Sequence, residues 1–296
     1  MISFRTHVAT LVAVFLALAV GVVLGGGPLS DLGRGTDENT AALKDRLDET
    51  ETIADFGNDF VADTSDRILA GALKGRQVAM VTLPGAKAST VDALREAVGA
   101  AGGTVTAVQE LGSSLVNPAE KGLVESLTTQ MLSQVPAGSV SGNATTYERA
   151  GELIALTLST TETAGATVRA EAGTVSEGLV GANLLPQAAE VTRLAPLVLV
   201  VSGDEVSGDG GDAILSGLVR GLSRRSVGTV VVSDTSERDD QMDRVRRDDA
   251  WGAATSVDGA EQVVGQTTAV LALARSFDTQ GGNFGATGSD GTVPLR

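Results

Sequence analysis

A run of twenty uncharged residues, 8–27, constrains this chain more than any other feature. At a rise of about 1.5 Å per residue, a helix of this length spans roughly 30 Å, the thickness of a bilayer core. Arg5 and the α-amino group precede the run, and acidic residues follow it. The positive-inside rule therefore predicts a cytoplasmic stub at residues 1–7 and an extracytoplasmic remainder.

A cleaved signal peptide is the alternative interpretation of this run. The apolar region of a signal peptide is usually about 7–15 residues long, which is shorter than the run here. The triplet Ala17-Leu18-Ala19 resembles a cleavage site but lies in the middle of the run. The pattern favours an uncleaved transmembrane helix over residues 8–27, which places the protein in the cell membrane or envelope as a single-pass protein.

Small residues recur every four positions within the predicted membrane helix. Such a stripe lets two membrane helices approach closely, although alanine and glycine are also common in membrane helices generally. The stripe predicts helix–helix packing, in which the candidate residues are Ala13, Ala17, Gly21 and Gly25.

The segment 28–74 is predicted to form an acidic helical stalk. Residues 37–66 carry ten acidic and two basic side chains, a net charge of −8 out of −15 for the whole chain. Apolar residues there are spaced by 4, 7 and 7 positions, which resembles a coiled coil. The candidate interface residues are Leu43, Leu47, Ala54 and Val61. This stripe is expected to pair with a partner helix or, alternatively, to pack on the chain's own globular domain.

The segment 75–280 alternates short apolar runs with helical patterns. The runs 197–202 and 228–233 are almost entirely apolar, as expected for strands buried on both faces. This alternation predicts an α/β domain with a three-layer, Rossmann-like and mainly parallel sheet. Two βαβ halves, about 75–190 and 191–280, are one possible division. The segment 281–296 is glycine-rich and is predicted to be an irregular tail.

The sequence lacks the residue types and motifs that many catalytic and metal-binding sites require. The chain has no cysteine and a single histidine, His7, so thiolate metal sites and a Ser-His-Asp triad in the domain are excluded. Its acidity disfavours binding to nucleic acid. The first predicted strand is followed by Pro84-Gly85 rather than a glycine-rich phosphate loop, and Ser89 or Thr90 is interpreted as a helix N-cap. We expect no catalytic residues, no cofactor and no enzymatic activity.

Two acidic segments are candidates for metal or acid–base sites. The loop 202–212 gathers Asp204, Glu205, Asp209 and Asp212, which either bind a divalent cation or form a solvated turn. The turn is the favoured interpretation, since the spacing is not that of an EF-hand. The segment 234–247 interleaves acids with arginines and is interpreted as a solvated, salt-bridged face. We therefore predict no metal site.

Several segments resemble the actinobacterial MctB-like family of copper transport proteins, in order and over nearly the whole chain. They are ISFRTHVATLVAVFLALAVGVVLGGGPL at the start, AMVTLPGAKASTVDALREAVGAAGGTVT, LVLVVSG and the ending GGNFGATGSDGTVPLR. The resemblance implies a single-pass envelope protein with a role in copper transport or copper homeostasis. It also implies partners in envelope or division complexes. Asn283-Phe284-Gly285 stands where the family has a His-Tyr-Gly pattern, which removes a potential histidine ligand.

The residues themselves supply few copper ligands. Cu(I) prefers thiolate and thioether sulfur, and Cu(II) prefers imidazole. After Met1, the chain offers Met80, Met131, Met242 and His7. The copper ion is therefore a partner implied by the resemblance alone, beside the lipid bilayer and a second copy or another protein bound through the membrane helix and stalk. The alternatives are a non-enzymatic scaffold that acts through the stalk and an extracytoplasmic small-ligand receptor that uses the carboxyl edge of the sheet.

Overall fold

One long helix, α1 (Pro28–Leu69), opens the part of the chain that the structure describes. The computed structural model describes residues 28–208 and 210–295, with side chains from residue 43 onward. The predicted stub 1–7, the membrane segment 8–27 and the stripe Ala13, Ala17, Gly21 and Gly25 lie outside the described residues. Among the described helices, none is long and apolar enough to cross a membrane.

The chain divides into two units, Met1–Asp59 and Phe60–Arg296. The described part of the first unit, residues 28–59, belongs entirely to helix α1, so this segment of the predicted stalk is helical. The last ten residues of α1, from Phe60 to Leu69, lie in the second unit, where Leu69 and the following Leu73 are buried in the hydrophobic core.

The second unit is built on a six-stranded, entirely parallel sheet. Its strand order is β2-β1-β3-β4-β5-β6. The strands are β1 (Gln77–Thr82), β2 (Thr104–Glu110), β3 (Leu197–Val201), β4 (Gly228–Val232), β5 (Thr255–Val257) and β6 (Asn283–Phe284). Strands β3 and β4 are buried at every position, which is why their sequences are apolar without alternation. The predicted α/β fold with a parallel sheet is confirmed.

Helices cover both faces of the sheet. They are α2 (Ala88–Ala100), α3 (Ser113–Val116), α4 (Lys121–Met131), α5 (Thr146–Leu158), α6 (Ala170–Gly181), α7 (Gly211–Ser223), α8 (Gln241–Arg247) and α9 (Val263–Arg275). One core cluster contains residues of α5 and α7, and the other contains residues of α2 and α9. The domain therefore has the three layers that the sequence predicts.

Strand β6 lies within the segment 281–296, for which the sequence predicts an irregular tail, and so corrects that prediction in part. Asn283–Phe284 adds an edge strand beside β5, where Ser256 N donates to Gly282 O at 2.9 Å and Asp258 N donates to Phe284 O at 3.3 Å. A strand of two residues has no detectable alternation, so its pairing is decided by these long-range contacts.

Helices α5 and α7 cross at very short distance. A Cβ atom placed on Gly221 would lie 2.2 Å from the Glu148 carbonyl oxygen, so only glycine fits there. At the same crossing, Glu148 accepts hydrogen bonds from Arg220 at 2.9 Å and from Arg224 at 3.2 Å. Burial alone would raise the pKa of Glu148, but hydrogen bonds from Thr145 N and the two arginines outweigh it and lower the pKa to about 2.

Candidate functional site at the carboxyl edge of the sheet

The strand order places a topological switch point between β1 and β3. The chain runs from β1 to its neighbour β2 on one side, and later returns to β3 on the other side of β1. In open parallel sheets, ligands bind outside the carboxyl ends of the strands at such a point. The segments that follow β1 and β3 therefore define the candidate site.

These two segments are joined by backbone hydrogen bonds. Leu83 N donates to Val201 O at 3.0 Å, and Asp204 N donates to Pro84 O at 2.9 Å. A Cβ atom on Gly203 would lie only 1.9 Å from Pro84 O, so this close approach requires glycine. The two segments form a fixed wall at the switch point.

A cavity of about 220 Å³ lies beside this wall. Its apolar lining is Leu83, Val201, Leu215, Val232, Met242 and Ala260. Its polar lining includes Lys87, Thr90, Ser202, Asp204, Glu205, Ser233, Asp234, Thr235, Asp240 and Gln241. Typical small-molecule sites are mostly apolar with a few polar groups and have volumes of about 300–1,000 Å³, so this cavity is smaller and its lining contains more polar residues.

Thr90 corrects the sequence interpretation of this edge. The N-cap of α2 is Lys87, whose side chain makes no capping bond, so neither Ser89 nor Thr90 is the cap. Thr90 is instead 7% exposed and lines the cavity. The position of Thr90 behind a predicted strand of a parallel sheet is the signal that could have placed it there.

An ion pair joins the β1 and β4 sides of the cavity. Lys87 Nζ lies 2.6 Å from Asp234 Oδ2, and the two side chains are 63% and 48% exposed. The hydrogen bond to Asp234, supported by its negative charge, raises the pKa of Lys87 above its usual value. Because solvent screens an exposed pair, it contributes little to stability.

The acidic loop 202–212 is partly neutralised by helix α8. Arg244 donates to Asp212 through Nε at 2.8 Å and through Nη2 at 3.0 Å, and it also pairs with Glu205. These bonds from Arg244 are the main reason that the pKa of Asp212 is lowered. Asp204 makes no ion pair within the described part of the chain, and Asp209 lies outside it.

The structure gives no support for metal binding by this loop. In residues 28–208 and 210–295, no group of three or more histidine, cysteine, aspartate or glutamate side chains is arranged to hold a metal ion. Arg244 pairs with two of the loop's acids, Glu205 and Asp212.

Arg246 corrects the interpretation of residues 234–247 as a wholly solvated face. Its side chain is 7% exposed and pairs at 3.2 Å with Asp258, which is completely buried behind β5. Ser236 N donates to Asp258 at 3.1 Å, and the Thr287 hydroxyl donates at 2.9 Å. The alternating charges around Arg246 do not predict its burial, because its partner Asp258 lies outside helix α8 and follows β5.

The methionines do not converge on a copper site. Met80, Met131 and Met242 are at most 5% exposed. Met80 belongs to the core on one side of the sheet, and the other two belong to the core on the opposite side. Asn283 accepts a hydrogen bond from the Ser256 hydroxyl at 2.7 Å.

The candidate stalk residues lie on helix α1. Leu43 and Leu47 are 66% and 57% exposed, Ala54 is exposed, and Val61 is half-buried. Phe56 is also exposed. Large apolar side chains on a charged helix are typical of a surface that another chain covers.

The chain is similar to known proteins over nearly its whole length. The family model described as "Copper transport outer membrane protein, MctB" matches residues 1–295. Proteins named "Copper transporter MctB" from Mycobacterium tuberculosis and Mycobacterium bovis are each 32% identical over 293 residues, which covers 92% of this chain and 92% of each relative. The Mycobacterium leprae protein of the same name is 32% identical over 178 residues. The resemblance noted in the sequence is thereby confirmed, and the chain belongs to the MctB family.

Proposed function

We propose that this chain is a non-enzymatic component of copper transport in the cell envelope. The observation that carries the proposal is the family match, which extends over residues 1–295 and so includes both the N-terminal segment and the α/β domain. Copper is the transported substrate in this proposal.

The chemistry of the described residues suggests which part of copper transport the α/β domain performs. The three methionines are buried in two separate cores, and the described acids form no metal-binding group. Copper transfer by soft ligands needs several of them at one point. We therefore propose that the α/β domain supports transport through assembly and binding rather than by holding the copper ion in its core.

The proposed anchor is a single membrane helix at residues 8–27, with the stub 1–7 in the cytoplasm and the domain outside. One helix cannot enclose a pore, so transport through the membrane requires association. The stripe Ala13, Ala17, Gly21 and Gly25 would allow close packing of such helices. Replacing Gly21 and Gly25 with leucine should reduce crosslinking between copies in membranes, and unchanged crosslinking would contradict this packing.

The stalk, proposed at residues 28–74, is the second assembly surface. Leu43, Leu47 and Ala54 are exposed on α1, where they are available to a partner helix. The net charge of −8 over residues 37–66 opposes pairing with an identical stalk, since like charges along paired helices repel. A partner with a basic helix fits better than a second copy. The same exposed stripe supports the second candidate function, a scaffold that regulates envelope or division machinery.

The test measures copper in cells. A strain that lacks the gene should accumulate more intracellular copper than the parent, and the full chain should restore the parental level. A Leu43→Ser/Leu47→Ser variant should fail to restore it although it is present at the same level. The matched control is Glu49→Gln/Thr52→Ser, which changes other exposed positions of the same helix and should restore it.

The outcomes separate the two candidate functions. Equal copper content with and without the gene contradicts the transport role. If copper is unaffected but the full chain captures a partner that the Leu43→Ser/Leu47→Ser variant loses, the scaffold function is supported instead.

A further inference from the structure

We draw no further inference here: the strongest candidate, the exposed apolar surface patch of Ile53 and Phe56 on helix α1, belongs to the stalk surface already described, and nothing in the described part of the chain shows what covers it.

Discussion

Two ion pairs at the carboxyl edge of the sheet have opposite surroundings. Arg246 and Asp258, near β5 and β6, are 7% and 0% exposed, and other donors also bind the carboxylate. Lys87 and Asp234, near β1 and β4, are 63% and 48% exposed beside the cavity at the switch point. One end of the same edge is fully hydrogen-bonded and closed, and the other is open. The difference separates the part that stabilises the domain from the part available for binding.

The largest effect is expected at the closed end. Asp258→Ala leaves Arg246 buried without its carboxylate, and removal of one partner of a buried pair costs about 3–5 kcal/mol in the free energy of unfolding. Urea unfolding of the full chain measures the loss. A loss below about 1 kcal/mol would mean that the pair is solvated in solution and that the contrast between the two ends does not hold.

A second prediction extends the comparison to Glu148, a buried acid away from the edge. Its pKa is about 2 in the folded protein and 4.5 in its usual state. Its stabilising contribution is thus complete above about pH 4.5 and is lost as the pH falls toward 2. Glu148→Gln should cost about 2–3 kcal/mol at pH 7 and progressively less below pH 4.5. A cost that does not change with pH would contradict the ionised state.

The third prediction concerns the close crossing of α5 and α7. Gly221→Ala places a Cβ atom against the Glu148 backbone, and overpacking of this kind costs about 1–3 kcal/mol. Gly173→Ala is the matched control, because a Cβ atom there meets nothing within 4 Å inside a helix. That control should stabilise the protein by up to about 1 kcal/mol. Equal effects of the two variants in thermal unfolding would show that the crossing tolerates expansion.

The smallest effect is expected at the open end. Lys87→Ala should leave the urea-unfolding midpoint of the full chain nearly unchanged, since the pair is exposed and screened by solvent. A stability loss comparable to that of Asp258→Ala would remove the distinction between the two ends.

The sequence was informative where a pattern is local. The apolar runs at 197–202 and 228–233 predict buried parallel strands because both faces of such strands are covered. Spacing also predicts helix α1, although not what covers its apolar residues.

The sequence was least informative where tertiary contacts determine whether a side chain is buried and what it pairs with. Arg246 stands among several charged neighbours on a helix of seven residues, which is too short for its buried face to show as a periodic pattern. Its partner Asp258 comes from after β5. The role of Thr90 likewise depends on the strand order, which brings β3 beside β1 after a separation of more than a hundred residues. No local sequence pattern predicts the pairing of Arg246 with Asp258 or that of β3 with β1.

The hydrogen-bond partners of Asp258 are synthesised at different times, which determines when its environment can be completed. Thr287, which donates to Asp258, is added 29 residues later. At about 5–20 residues per second, this delay is roughly 1–6 s. During that interval the emerging chain carries both members of the ion pair but not the segment that covers them. The last part of the domain to be made therefore fixes the edge of its sheet, and a chain cut short before Phe284 would keep that edge open permanently.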